Sequence, residues 1–189
     1  MRMWKQLQGL TFKEPFMQNH FELYKLPVQF SLDRQALDKT YKEIQNLVHP
    51  DRFVTATEAE KRTAIQWAAM ANDAYHVLRN PIKRAAYLCE LNGYNLNGET
   101  HVSMDPQFLI QQMEWRESLE NAREDKDVNQ LEKLDEEQRS LRKEQMDVIE
   151  KYLGDKEFDK AVQEIRKMMF LEKFNEEISL AFDELDSTD

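Results

Sequence analysis

Apolar residues recur at helical spacing along most of the 189 residues of the chain. The clearest early stripe has spacings of four, three and four, which place its side chains on one helix face: Leu37, Tyr41, Ile44 and Val48. Ser31 or Asp33 can cap the start of this helix. Pro50 ends it near Val48, because proline disfavours helical geometry in the residue before it. Lys39 and Lys42 fall on the opposite face.

A second long helix follows a polar loop over residues 49–56. Thr57 caps this helix, and Glu60 completes a capping box. Its inward face is predicted to hold Ile65, Ala68, Asn72, Tyr75 and Leu78. A short helix over 20–26 precedes the pair, and another follows Asn80-Pro81 with Ala85, Leu88 and Leu91 inward. These elements predict a small bundle built on an antiparallel helical hairpin.

The second half predicts three long helices, over residues 105–124, 128–153 and 156–185. Asp105-Pro106 is a cap followed by proline at the first helical position, and Gly154 ends the middle helix. Short connections make neighbouring helices antiparallel, so a three-helix bundle is the expected packing. The Gly/Asn-rich stretch over residues 92–98 reads as the linker between the two units.

The first of these helices has more apolar residues than one core stripe needs. Its core stripe is Phe108, Trp115, Leu119 and Ala122. Leu109, Ile110 and Met113 lie about 100–200° from Phe108 on a helical wheel, and Glu114 and Glu117 border them. Two interpretations stay open at this point. The surplus residues form a binding site for a partner, or the helix is buried on two sides.

The last helix carries four consecutive apolar residues, 168–171. Four consecutive residues cover most of a helix circumference, so at least one of them points away from the core. The methionines of this run are expected to pack internally.

Composition agrees with long helices, since the chain has only four glycines and five prolines while 33% of its residues are charged. The charge is uneven. Residues 1–95 carry 13 basic and 10 acidic residues, whereas residues 96–189 carry 13 and 26. The acidic second half would repel phosphate backbones, so nucleic-acid binding is not expected.

Several classes of protein are disfavoured. The single cysteine, Cys89, excludes an internal disulfide and a four-cysteine metal site, and it favours a reducing compartment. No apolar run approaches the roughly 18 residues of a membrane span. Residues 1–16 lack the apolar core of a secretion signal. No nucleophile motif or phosphate loop is present, and the histidines are scattered, so neither an enzyme nor a metal or cofactor site is expected.

The tripeptide His49-Pro50-Asp51, in the loop of a helical hairpin, resembles the signature of a J-domain, the module by which co-chaperones engage DnaK-type ATPases. The segment 72–78 resembles the family's third helix, and 21–24 its first. The resemblance implies that His49, Pro50 and Asp51 dock at the ATPase. It also implies that Lys39, Lys42 and Arg52 steer and hold the surface against acidic groups. The alternative for the lysines is an ordinary solvated helix face.

Segments 84–88, 105–117 and 165–171 resemble the HscB family, the J-domain co-chaperones of iron–sulfur cluster assembly, and the resemblance runs from about residue 17 to about residue 185. This resemblance implies an L-shaped all-α protein that couples the DnaK-type chaperone HscA to the cluster scaffold IscU. It further implies that Phe170 is the exposed member of the 168–171 run. The scaffold-binding residues would then be Leu109, Ile110, Met113, Glu114, Glu117 and Phe170.

The expected domains are an extension of unknown role over 1–16, a J-domain over 17–92, a linker over 93–104 and a client-binding bundle over 105–189. Residues 1–16 have no counterpart in the usual bacterial pattern, which indicates an upstream start codon or a short extension. Animal members carry an amino-terminal pair of Cys-x-x-Cys motifs that is missing here. A monomer in the bacterial cytoplasm is therefore expected, with the mitochondrial matrix as the alternative.

The rival functions are a J-domain co-chaperone for another client and a helical adaptor that contacts no ATPase.

Overall fold

The computed structural model describes residues 19–96 and 105–186, and the predictions for residues 1–16 and for most of the 93–104 linker lie outside them. Within these ranges all regular structure is helical, with no β-strand. The helices group into two compact units that divide between Leu91 and Asn92. An all-α fold is thus confirmed.

Within residues 19–91, the first unit has four α-helices and one 3₁₀ turn. In chain order these are α1 (His20–Leu23), α2 (Arg34–Val48), the 3₁₀ turn (Pro50–Phe53), α3 (Glu58–Arg79) and α4 (Pro81–Leu91). Over residues 105–186, the second unit has three long helices, α5 (Pro106–Glu124), α6 (Val128–Gly154) and α7 (Phe158–Asp186).

Capping residues set the ends of the hairpin helices as predicted. The Asp33 carboxylate accepts the backbone N–H groups of Gln35 and Ala36, and so caps α2. Thr57 and Glu60 form the predicted capping box at the start of α3. These contacts satisfy backbone donors that the first helical turn leaves without partners.

Buried tyrosines hold α1, α2 and α3 together. The Tyr24 hydroxyl donates to the Ala71 carbonyl at 2.6 Å. The rings of Tyr41 and Tyr75 stack with centroids 3.9 Å apart, and the Tyr75 hydroxyl donates to the Asp38 carboxylate at 2.8 Å. That hydrogen bond is the main reason that the pKa of Tyr75 is raised. The hydroxyl groups of these tyrosines are hydrogen-bonded while their rings pack between helices, and this fixes the register of the hairpin.

Two residues predicted to face inward do not. Ile65 on α3 is 66% exposed and Leu91 at the end of α4 is 37% exposed. The core face of α3 instead uses Ala64, Ala71, Ala74, Tyr75 and Leu78. Ile65 lies about 100° round the helix from Ala64, on the flank of this buried face. The prediction of Ile65 as a core residue was wrong because helical spacing alone does not show where the buried face of a helix ends.

Arg84 is a buried arginine that ties three segments of the first unit together. Its Nε donates to the Phe30 carbonyl at 2.8 Å, and its Nη1 donates to the Leu78 carbonyl. The guanidinium also lies over the Phe30 ring, 5.0 Å from the centroid. A buried arginine of this kind is stabilising because the carbonyls it bonds would otherwise be buried without donors.

We expect Arg84→Met to destabilise the protein by about 2–3 kcal/mol, because methionine keeps much of the packing but removes both donors. Urea unfolding followed by circular dichroism measures the change. Lys83→Met, at an exposed neighbour on the same helix, is the matched control and should change stability by less than about 0.5 kcal/mol. An Arg84→Met variant as stable as this control would contradict the argument.

In the second unit, α6 and α7 form the principal antiparallel pair, and α5 packs mainly against α6. Asp105 caps α5 and Pro106 begins it, as predicted. Gly154 is the last residue of α6, but the left-handed position that closes the turn belongs to Lys156, at φ 59°. Lys126 has the same role before α6, at φ 51°. The three-helix packing predicted for this unit is confirmed.

Candidate protein-binding surfaces

The loop between α2 and α3 is a closed turn that displays polar side chains. The His49 Nδ1 accepts the Asp51 backbone N–H at 3.3 Å, and the His49 carbonyl accepts the Arg52 backbone N–H at 3.0 Å. Phe53, which ends the 3₁₀ turn, is buried and anchors the loop to the core. The side chains of His49 and Asp51 are 58% and 87% exposed. Rigid backbone and free side chains are what a docking loop requires.

The hydrogen bond to Nδ1 determines which tautomer a neutral His49 ring adopts. Its Nδ1 is 3.6 Å from the Asp51 carboxylate. In the neutral ring, a backbone N–H bonded to Nδ1 leaves the proton on Nε2. The exposed Asp51 carboxylate is thus free to accept donors from a partner, and a partner arginine would form a charge-assisted hydrogen bond with it.

The predicted basic residues are all exposed, but Arg52 also makes a hydrogen bond within the protein. Lys39 and Lys42 project from the polar face of α2. Arg52 instead folds back, and its Nη1 donates to the Asn46 carbonyl at 3.3 Å. Arg52 therefore braces the end of α2, in addition to any contact that it offers a partner.

The surplus apolar residues of α5 are on the surface. Leu109 is 46% exposed, Ile110 58% and Met113 72%. Glu114 and Glu117 are exposed beside them. The second unit itself therefore does not bury these three positions. We call Leu109, Ile110 and Met113 the α5 patch. Three large apolar side chains so close together on one helix face are typical of a protein-binding site.

The 168–171 run does not behave as predicted. Phe170 is half-buried, and Met169 is the outward member at 52% exposure. Met168 and Leu171 are buried. The expectation that Phe170 is the exposed residue, and that both methionines pack inside, was wrong. The phase of α7 is set by its buried residues on either side of the run, Ile165 and Phe174, and this phase turns position 169 outward.

Phe170 nevertheless joins α7 to the helix that carries the α5 patch. Its ring meets Phe108 edge-on with centroids 5.7 Å apart and stacks with Trp115 at 6.4 Å. The Arg116 guanidinium lies over the same ring at 5.7 Å, and it pairs with Glu177 at 3.8 Å. These contacts fix α5 on the bundle and place Phe170 beside the α5 patch rather than in its centre.

Trp115 fixes the other side of α5. Its ring is buried, and its indole N–H donates to the Glu137 carboxylate of α6 at 3.0 Å. The α5 patch is thus carried by a helix that is bonded on both flanks, and a partner meets a preorganised surface.

Neither metal nor thiolate chemistry is indicated in residues 19–96 and 105–186. No group of three or more histidine, cysteine or acidic side chains there is placed to hold a metal ion. Burial raises the pKa of the Cys89 thiol to about 11, so this side chain stays protonated at neutral pH and packs as an apolar group. No helix in the same ranges is long and apolar enough to span a membrane.

Comparison with known proteins identifies the family of this chain. Residues 104–179 match the family model described as the HSCB C-terminal oligomerisation domain. The co-chaperone protein HscB homolog of Burkholderia thailandensis is 43% identical over 168 residues, which is 89% of this chain and 96% of that protein. This chain belongs to the HscB family of co-chaperones. A second HscB homolog, from Paraburkholderia xenovorans, is also 43% identical, over 89% of this chain and 97% of its own.

Solved HscB structures have the same fold. The chaperone HscB from Vibrio cholerae has a TM-score of 0.80 at 36% identity, over 88% of this chain and 99% of its own. Human co-chaperone protein HscB has a TM-score of 0.81 at 29% identity, over 88% and 83% of the two chains. The first unit is therefore the J-domain, and the second is the carboxy-terminal helical bundle of the HscB family.

Proposed function

We propose that this HscB-family protein stimulates the ATPase of the DnaK-type chaperone HscA through its J-domain, and that it binds and delivers the scaffold IscU through its helical bundle. The observation that carries the proposal is the presence of two surfaces of different chemistry on separate units. One is a rigid turn with an exposed carboxylate and imidazole. The other is an exposed apolar patch bordered by glutamates. We propose no catalytic activity for the protein itself.

The turn is suited to a charged partner. Asp51 offers an exposed carboxylate to an arginine, and His49 holds the backbone of Asp51 in place. Lys39 and Lys42 add positive charge along α2, which favours approach to an acidic surface and raises the association rate. Arg52 contributes to this charge from its braced position.

The α5 patch is suited to an apolar client. Leu109, Ile110 and Met113 supply the apolar centre, while Glu114 and Glu117 supply a charged rim. Interfaces with this arrangement take most of their affinity from a few central side chains, and the rim sets specificity. Phe170 supports the patch from α7.

Carrying both surfaces on one chain has a thermodynamic consequence. When client and ATPase bind the same molecule, each gains a raised effective concentration for the other. A client that binds one nucleotide state of the chaperone better then biases the ATPase cycle toward that state. The bacterial HscB relatives support the cytoplasm as the compartment of this activity.

We expect this protein and IscU together to raise the steady-state ATPase rate of HscA by more than the product of their separate effects. Single-component additions are the controls. Stimulation by this protein alone, with no further effect of IscU, would indicate a co-chaperone for another client. No stimulation under any condition would contradict the proposal and favour an adaptor that contacts no ATPase.

A further inference from the structure

Ile65 is a large apolar side chain that the J-domain leaves 66% exposed. Single exposed apolar residues are common on proteins, so its location decides whether it has a role. The hydrogen bonds between α2 and α3 give that location.

Asn72 defines the register of the two helices. Its side-chain oxygen accepts the Tyr41 hydroxyl at 3.0 Å and also accepts the Gln45 amide. Asn72 is therefore level with residues 41–45 of α2. The bond from Tyr75 to the earlier residue Asp38 shows that the helices run antiparallel.

Ile65 precedes Asn72 by seven residues, or about 10 Å along α3 toward the loop. The same distance along α2 leads from Tyr41 to Val48, where the helix ends and the turn begins. Ile65 is thus level with the His49-Pro50-Asp51 turn. Seven residues rotate the helix by about 700°, only about 20° less than two full turns. Ile65 therefore lies on the same face of α3 as Asn72, on the flank beside α2.

This flank combines one apolar side chain with positive charge. Arg62 is exposed and lies one turn before Ile65 on the same side of α3. On α2, Lys42 is exposed and lies one turn before Gln45, about 60° further out from the core. The charged turn therefore continues onto a surface of Lys42, Arg62 and Ile65.

We propose that Ile65 is an apolar anchor in the chaperone-docking surface, and that it fits an apolar pocket bordered by acidic side chains on the ATPase partner. This inference rests on the proposed function and extends it from the loop to α3. Its partner is the ATPase because the anchor is level with the docking turn and because the charged residues within about one turn of it on α3, Lys61 and Arg62, are both basic. An anchor away from the turn contributes affinity, whereas the turn provides the stimulus.

The test compares Ile65→Ser with Met70→Ser in the full chain, by titration of each against HscA in the ATPase assay. Met70 is also exposed, at 39%, but it lies about 140° away round α3. We expect Ile65→Ser to raise the half-maximal concentration about tenfold, the effect of losing one apolar anchor, with the maximal rate retained. Met70→Ser should match the wild type, and Ile65→Leu should restore it.

Each outcome decides a different question. If the wild type stimulates HscA and Ile65→Ser titrates like Met70→Ser, the anchor is wrong while the proposed function stands. If the wild type does not stimulate at all, the proposed function has failed first. Sedimentation velocity addresses a second copy as the occupant: self-association of the wild type that Ile65→Ser abolishes would overturn the assignment to the ATPase. Circular dichroism confirms that the variants fold.

Discussion

His49→Gln should reduce the stimulation of the HscA ATPase to the basal rate, a loss of at least about tenfold. The imidazole Nδ1 accepts the Asp51 backbone N–H and so helps to close the turn. Glutamine has a flexible side chain that does not hold this geometry, and it lacks the ring that a partner would contact. Steady-state phosphate release at saturating co-chaperone measures the effect, because a merely weakened complex would recover at high concentration.

The matched control is His76→Gln, at an exposed histidine on α3 outside the turn. It should stimulate like the wild type. Both variants should keep the helical signal and the thermal midpoint of the wild type, since neither side chain belongs to the core. If His49→Gln stimulates normally, the turn does not trigger the ATPase, and the J-domain likeness would then not extend to this activity.

Local signals in the sequence are enough to predict the hairpin that presents this turn. Pro50 ends α2 by covalent constraint, and Thr57 with Glu60 starts α3 through side-chain hydrogen bonds. Both effects operate within a few residues, so no knowledge of tertiary packing is needed. Local signals therefore predict both ends of the loop between α2 and α3 without any information on how the helices pack.

Burial on long helices is harder to predict, because neighbouring helices decide which face is covered. Helical spacing predicts that Ile65 and Leu91 face inward, yet both side chains are exposed. In the 168–171 run, four consecutive apolar residues do not indicate which side chain faces solvent. Packing of α7 against α5 and α6 leaves Met169 exposed rather than Phe170. The exposure of Leu109, Ile110 and Met113 agrees with their position on the helical wheel, far from a well-defined core stripe.

Contacts between distant residues were missed for the same reason. In the sequence, Arg84 is indistinguishable from an exposed helical arginine. No neighbouring residue indicates that it donates to the carbonyls of Phe30 and Leu78. The Trp115–Glu137 bond joins residues 22 apart and depends on the approach of α5 to α6. Such bonds follow from tertiary structure, and they explain why the surfaces are rigid.

Leu109→Ser/Met113→Ser should weaken IscU binding about 30-fold or more, because truncating a central apolar contact costs at least ~1 kcal/mol and two such losses add to ~2 kcal/mol. Leu109 is 46% and Met113 72% exposed, so their truncation should change the stability of the bundle little. Isothermal titration of the full chain with IscU measures the dissociation constant. ATPase stimulation without IscU should be unchanged, since the J-domain is untouched.

The control removes equally apolar but unrelated surface, with Val148→Ser/Leu180→Ser at positions 38% and 56% exposed on α6 and α7. This double variant should bind IscU like the wild type. Phe170→Ala is a weaker test of contact, because that ring packs against Phe108, Trp115 and Phe174 and its loss should lower the thermal midpoint. Equal affinity of the two serine double variants for IscU would show that the client binds elsewhere on the chain, whatever the behaviour of Phe170→Ala.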